Sequence, residues 1–510
     1  MSRRIAAQIP AVGYDEVHFF GCDGAPDDIV ARRRAGFEAL AKRFTAKFPK
    51  TRALTAEARQ GLSDLQFTAN YRVPFQFSAL VRDRLGVGAF AERSEGMRLV
   101  DLDGNVFFDL TGSYGVNLLG YDAYKGLIAD AVTEAAPLGP VLGTLHPVVA
   151  DNIARLKALT GLDEVSFHMS GTEAVMQAVR LARYHTGRSH LVRFCGSYHG
   201  WWGDVQPGVG NPVPADGTYT LADMSETALR VLATRRNIAC VLINPLQSLH
   251  PNSAAPSDST LVDGSRRGGV DRDAYSAWLA RVAEVCRKRG IVLILDDVFT
   301  GFRLARGGAS EYFGVEPDMV TFGKTLGGGF PVGVVVGKAA LMKRYRDDRP
   351  VDICFARGTF NAHPYVMAAM NGFLRLIDSE EGTELYDGLD ERWNARAARL
   401  NQALTDVDVP VRAANLSTIW TMLYTIPGRF HWLLQYYLRD EGLLLSWVGS
   451  GRLIFSLDYG EAEFEEVVTR FVRAAEAMKR DGWWWEAPGA TSKTIRRTVL
   501  RELIARRFGR

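Results

Sequence analysis

The sequence predicts an α/β fold: a large, doubly wound and mostly parallel sheet, with a smaller α+β domain built from both chain ends. Three observations lead there. From Val165 to about Val336, short apolar runs alternate with amphipathic helical stretches. Ile291 to Leu295, IVLIL, is continuously aliphatic, the pattern of a parallel strand covered on both faces, and it ends in Asp296 and Asp297. Met319 to Phe322 is a second short run, closed by Gly323-Lys324 and then Gly327, Gly328 and Gly329. Ligands of open α/β sheets bind beyond the carboxyl ends of strands. A carboxylate and a lone amine are therefore expected in one crevice, with glycines leaving room beside the lysine.

The chain of 510 residues has room for two or three domains, and its apolar and charged fractions are those of a globular protein. The expected division is a helical extension over 1–70, small-domain segments over 71–140 and 377–482, a large domain over 141–376, and a tail over 483–510. The net charge of +3 gives no reason to invoke nucleic acid. Within the tail, Pro488 to Arg510 holds seven basic residues against the single acid Glu502. It reads as a solvated or dimer-packed helix, with an anionic partner as the alternative. Trp483, Trp484 and Trp485 ahead of it read as a packing anchor. Five widely spaced cysteines show neither a disulfide framework nor metal-ligand spacing, so no metal is expected. With no signal-peptide pattern and no membrane-length apolar run, the expected location is the cytoplasm.

In chain order, Phe37, Leu40, Ala41, Phe44 and Phe48 lie at helical spacing before Pro49. Arg98 to Asp109 reads as a hairpin around Asp103-Gly104-Asn105, and Leu110 to Gly120 as a glycine-punctuated loop carrying Tyr114. A helix from Val148 to about Thr160 leads to a strand over Val165 to Met169. Ser170 and Glu173 then have capping-box spacing ahead of a helix with Ala174, Val175, Ala178, Val179 and Ala182 on its buried stripe. Strand, Gly171-Thr172 turn and helix N-terminus together make a phosphate cradle, although the same residues would serve as a plain cap. His190 to Phe194 is the next strand. Tyr198, His199, Trp201 and Trp202 follow it among glycines and could lie flat against a heteroaromatic ring. Leu249 to Gly269 reads as a surface loop or lid after the strand Ala239 to Ile243. Gly358-Thr359, within RGTFNAHP, offers a second phosphate-binding group before a helix near Tyr365.

A lysine amine and a carboxylate at neighbouring strand ends suit pyridoxal phosphate: the lysine forms a Schiff base with the aldehyde, and the carboxylate keeps the pyridine nitrogen protonated. The plainer readings are a solvated turn lysine and a capping or ion-paired aspartate. A P-loop is ruled out, because Asp318 stands where its first glycine belongs.

Taken together, SGTEA, YHG, DDVFTGFR, GKTLGGGFPVG and GTFNAHP, in that order, resemble the class III, fold-type I aminotransferases, and among them most the glutamate-1-semialdehyde 2,1-aminomutases and related aminotransferases. The resemblance covers roughly Met97 to Leu376. It implies Lys324 as the Schiff-base lysine, Asp296 as partner of the pyridine nitrogen, Gly171 and Thr172 at the phosphate, and Tyr198 stacked on the ring, with His199 and Val298 completing the cofactor contacts. It also implies a homodimer with shared active sites, in which Thr359 reaches the neighbouring subunit's phosphate. Asp297 replaces the family's usual Glu and Asn244 its usual Glu before Pro. SWVGSGR, Ser446 to Arg452, has no acid where the aminomutases carry one, and Tyr71 to Phe77 resembles their substrate-carboxylate segment only faintly. The expected activity is amino transfer from a donor to a keto or aldehyde acceptor, free or carrier-tethered. Intramolecular transfer of the aminomutase type is the alternative, and a scaffold without turnover the second. Neither nucleic acid nor membrane is expected as a partner.

Overall fold

The computed structural model describes residues 8, 13–66, 73–206, 211, 216–245, 271–445 and 452–507. The expected lid over 249–269, residues 71–72 of the faint N-terminal segment and 446–451 of SWVGSGR lie outside them.

Seven strands form the large sheet: β1 (Glu164–His168), β2 (His190–Phe194), β3 (Thr218–Leu221), β4 (Ile238–Ile243), β5 (Val292–Asp296), β6 (Met319–Gly323) and β7 (Gly333–Gly337), in the order β1-β7-β6-β5-β4-β2-β3. Only β7 runs against the rest, antiparallel to both β1 and β6. The carboxyl ends of β1, β2, β4, β5 and β6 therefore share one edge.

Both faces of the sheet are covered, which explains the unbroken aliphatic runs. Along β5, Val292 and Ile294 join the core beneath the helix Gly171–Thr186, whereas Leu293 and Leu295 join the opposite core with Trp278 and Phe373. Successive strand side chains point to opposite faces, so a strand buried on both needs apolar residues at every position.

The smaller domain draws on both ends of the chain. Ala91–Glu95, Arg98–Asp101 and Val106–Leu110 form an antiparallel meander, and Leu443–Leu445 adds to its edge parallel to Val106–Leu110. The hairpin turn is held by Asp101, whose Oδ1 accepts from the backbone N–H groups of Asp103 and Asn105. A second sheet pairs Val411–Leu416, Ile419–Tyr424 and Arg452–Ile454. The N-terminal helices Asp27–Lys47 and Pro49–Arg59 lie on this domain, with Phe37, Leu40, Phe44 and Phe48 in one apolar core with Val467, Phe471 and Met478.

Trp483 is buried in that core, and its indole N–H donates to Tyr437 Oη over 2.8 Å. The basic tail is neither loose nor solvated on all sides. It forms the helix Ser492–Arg507, whose Glu502 accepts from buried Arg429 over 2.9 and 3.0 Å and from the Tyr14 hydroxyl. Glu502 thus fastens the tail helix to the N-terminal extension. Among the described residues no helix is long and apolar enough to cross a membrane.

Candidate active site

A crevice of about 890 Å³ opens at the shared carboxyl edge, a size suited to a small cofactor and substrate. Its floor is Asp296, the last residue of β5 and only 2% exposed. A buried carboxylate requires donors. Asp296 Oδ1 accepts from Val298 N over 3.2 Å and Thr321 Oγ1 over 3.3 Å, while Oδ2 accepts from His199 Nδ1 over 2.6 Å. His199 itself is buried, and its Nε2 has no partner among the described residues. The ring expected to lie flat on a ligand instead aligns the carboxylate.

Lys324 follows the last residue of the neighbouring strand, β6, and takes a left-handed backbone conformation, φ 48°. A non-glycine residue held there costs on the order of 1 kcal/mol or more, and such strain concentrates at functional sites. Its amine stands 5.3 Å from the centroid of the Phe299 ring. Burial draws the amine down from 10.5 to about 8, against the pull of Asp296 and with help from Arg303. A lysine amine that gives up its proton this readily, beside a fixed carboxylate, can act as nucleophile and as base.

At the end of β1 the helix Gly171–Thr186 begins. Ser170 Oγ accepts from Glu173 N over 3.2 Å, and Glu173 Oε2 reaches back one residue beyond the cap to Met169 N at 2.9 Å. Ser170, Gly171 and Thr172 line the crevice, where the helix's first N–H groups and positive end favour an anion. A Cβ on Gly171 would stand 2.5 Å from Val298 Cγ1, and one on Gly200 2.5 Å from Thr172 Oγ1. The loop after β2 is thereby pressed onto the cradle, and its exposed Tyr198 joins the wall.

The crevice therefore gathers Gly171, Thr172, Tyr198, His199, Asp296, Val298 and Lys324. Thr359 is not brought in. It is exposed, on the segment before the helix Pro364–Asp378. The donor set fits pyridoxal phosphate: an anion cradle, a carboxylate for a ring nitrogen and a lysine amine of lowered pKa for an aldehyde. Among the described residues no cluster of three or more His, Cys, Asp or Glu is placed to hold a metal ion.

One expectation is corrected. The glycines after Lys324 chiefly admit protein: a Cβ on Gly327 would stand 3.1 Å from Val332 Cγ1 and one on Gly329 2.8 Å from Ile128 Cδ1, while Gly328 abuts the Ala369 carbonyl. Of the three, only Gly329 lines the crevice.

Three residues went unassigned in the sequence reading. Asp297 turns away from the crevice, accepting from Thr300 Oγ1 at 2.5 Å and Ala309 N at 2.8 Å, and burial raises its carboxyl to about 7. Arg303, fully buried, donates to Phe455 O (2.7 Å), Thr418 Oγ1 (2.9 Å), Asn117 O (3.1 Å) and Gly115 O (3.2 Å), so it pins the Gly112–Gly115 turn and the C-terminal strands to the end of β5. Its signal was present in DDVFTGFR as the arginine that closes the segment straight after Phe302. Arg452, the last residue of SWVGSGR, lines the crevice.

Comparison with known proteins gives a consistent picture. The pattern of the family "Aminotransferase class-III" matches residues 82–209 and 261–474. The glutamate-1-semialdehyde 2,1-aminomutase of Nitratidesulfovibrio vulgaris strain DP4 is 34% identical over 374 residues, 72% of this chain and 85% of that protein. The enzyme of the same name from Desulfotalea psychrophila is 32% identical over 375 residues, 69% and 80% of the two chains. Among solved structures, a glutamate-1-semialdehyde aminomutase from Pseudomonas aeruginosa PAO1 superposes with a TM-score of 0.70 at 19% identity, covering 88% of this chain and 99% of that one. An omega-transaminase from Sphaerobacter thermophilus does so at 0.65 and 24% identity, covering 82% and 98%. At such identities these two likenesses speak for the fold.

Proposed function

The chain belongs to the class-III aminotransferases, pyridoxal-phosphate enzymes that move an amino group on small molecules, and from that premise we propose that it is an intermolecular transaminase. In this reading a donor amine enters the crevice, a keto product leaves, and an aldehyde or keto acceptor takes the nitrogen in a second half-reaction. Pyridoxal phosphate, when bound, supplies the carbonyl that receives the amine and the ring that accepts electrons.

The protein does the rest. Asp296, held by His199, Val298 N and Thr321, would keep a proton on the ring nitrogen. Lys324, whose amine burial draws down to about 8 so that it gives up its proton more readily than an ordinary lysine, would hold the cofactor until the donor arrives, and its amine would then carry the α-proton from one side of the transferred nitrogen to the other. The N–H groups at Ser170 to Thr172 would hold the phosphate and Tyr198 would lie against the ring, while Val298 packs against Gly171 at the cradle. Thr359 completes a second subunit's phosphate site. A homodimer is supported by exposed Val351, Ile353, Phe355 and Phe360 on the same stretch as Thr359, an apolar surface of the kind that marks an interface. Five free cysteines accord with a cytoplasmic location.

The aminomutase names of the relatives favour the second reading, intramolecular transfer along one carbon skeleton. An enzyme of that kind must grip a diamine while the nitrogen moves. The observation that carries the transaminase reading is that Asp296, already engaged by three donors, is the one carboxylate among the described crevice-lining residues. The test is to load the protein with pyridoxal phosphate and screen amino acids and amines for conversion to the pyridoxamine form. Conversion with release of a keto product is expected from at least one donor. If no donor converts the cofactor while glutamate-1-semialdehyde alone is turned over, the transaminase reading fails.

A further inference from the structure

The turn Gly112–Gly115 is built against the preference of its residues. Four consecutive φ angles are positive: 52° at Gly112, 44° at Ser113, 58° at Tyr114 and 93° at Gly115. Two of the four residues carry a Cβ, and L-residues enter the left-handed region singly, not in runs. Such a conformation persists only where its surroundings over-determine it.

The surroundings are two hydrogen-bond chains that start at Ser113 and end on one carboxylate. Tyr121 Oη donates to Asp109 Oδ2 over 2.7 Å, which leaves it to accept from Ser113 Oγ, also at 2.7 Å. Ser113 N donates to Thr111 Oγ1 over 3.0 Å, and Thr111 Oγ1 donates to Asp109 Oδ1 over 2.6 Å. Asp109 is only 2% exposed, on the strand Val106–Leu110. Burial, and then the Asp109 carboxylate, push the Tyr121 hydroxyl up, so it remains a donor. Ser113 is thus held by its amide and its hydroxyl at once, which fixes its backbone.

What the turn serves lies at its far end. A Cβ on Gly115 would stand 2.6 Å from Phe299 Cε2 and 3.3 Å from Lys324 Cδ, so bare backbone backs the stem of the lysine. Arg303 holds the same residue in place through the Gly115 carbonyl. A right-handed Ser113 or Tyr114 would carry Gly115 off the lysine and open the stem to water.

We propose that Asp109 and Tyr121 are positioning residues for Lys324: the turn they hold backs the lysine stem, so that the amine is kept dry and aimed at the cofactor's aldehyde. Neither is among the residues that line the crevice; both act through the turn. This rests on Lys324 as the lysine that holds pyridoxal phosphate, and it is the same whether nitrogen passes between two molecules or along one.

The test uses the full chain freed of cofactor, as wild type, as Y121F and as the double variant Y121F/S113G. Y121F keeps the ring and removes both of its hydrogen bonds, whereas glycine at 113 takes the left-handed conformation without steric cost. Hydrogen–deuterium exchange over residues 112–117 reports the turn. Capture of added pyridoxal phosphate, followed by visible absorbance across pH, reports the lysine. Y121F should exchange faster and capture the cofactor about ten- to a hundredfold more slowly, as for a reacting group misplaced by about an ångström. Its pH midpoint should rise above the wild type's as water reaches the amine. Y121F/S113G should recover most of the capture rate and of the midpoint. With a donor in hand, maximal rates should follow the same order while KM changes far less. Lower thermal stability in Y121F with unchanged capture and midpoint would make the two residues props of the fold and overturn the assignment. Unaltered exchange at the turn, or slow capture that glycine at 113 does not restore, would overturn it too. A wild type that captures no pyridoxal phosphate would instead sink the cofactor reading itself, and this assignment with it.

Discussion

Lys324 combines a left-handed backbone with an amine drawn down to about 8. A depressed lysine pKa means that the folded protein resists charging the amine, so the neutral form appears above about pH 8 instead of 10.5. The rate at which cofactor-free protein captures added pyridoxal phosphate, followed by visible absorbance, should therefore rise with pH to a half-maximum near 8. A midpoint near that of an ordinary lysine would mean the amine is solvated. Asp297 gives a prediction of opposite kind. Its carboxyl is raised from 3.8 to about 7 by burial, so between those values the folded state holds more protons than the unfolded chain and stability falls as pH rises. D297N keeps an acceptor for Ala309 N and removes the titration. Its thermal midpoint should vary less than the wild type's between pH 4 and 7, and an unchanged pH profile would place the raised group elsewhere.

At the scale of elements, two arginines join parts of the chain that lie far apart in sequence. Arg303 meets four buried acceptors on the glycine turn and the C-terminal strands. R303M should cost on the order of 3 kcal/mol, since acceptors left unpaired in a dry interior each carry a penalty of about 1–3 kcal/mol, and it should lower the first thermal transition. Arg429 joins the tail to the extension through Glu502, with Asp23 at 3.4 Å as a second acid. E502A should release the tail helix, so that limited proteolysis cuts between Pro488 and Arg510 at a much higher rate while the large domain stays intact. Unaltered cleavage would show that apolar packing alone holds the tail.

These contacts also mark what could and could not be read from the sequence. Buried strands announced themselves, because a strand covered on both faces admits only apolar residues: His190 to Phe194 has the expected limits, and β5 and β6 are each displaced or extended by one residue. Capping was legible because Ser170 and Glu173 are a local pair, although Glu173 reaches Met169 and not Ser170. The packing use of Gly327 to Gly329 was not, since a glycine that admits a neighbouring helix looks the same in sequence as one that admits a ligand. Nor was the edge strand Leu443–Leu445, three residues whose partner lies more than 300 positions earlier. The place of Arg452 depends on docking its strand over Gly112, a tertiary event with no local pattern.

At the scale of the whole molecule, the proposed homodimer with shared active sites predicts complementation between damaged subunits. K324A lacks the reactive amine but retains Thr359, whereas T359A retains the amine and lacks the hydroxyl proposed to reach the neighbour's site. Mixed and allowed to exchange, the two should recover activity at limiting cofactor toward about a quarter of wild type, because each hybrid dimer carries one intact site. Recovery no greater than the sum of the separate variants would mean that each subunit's site is its own. The central claim, that nitrogen passes between two molecules in a crevice organised by Asp296 and Lys324, is tested most directly with isotope. The enzyme is given a ¹⁵N-labelled amino donor with a keto or aldehyde acceptor, and separately unlabelled glutamate-1-semialdehyde alone. Donor ¹⁵N in the aminated acceptor, lost in K324A, is the result expected. Efficient formation of 5-aminolevulinate without any external donor, with no label crossing between molecules, would contradict it.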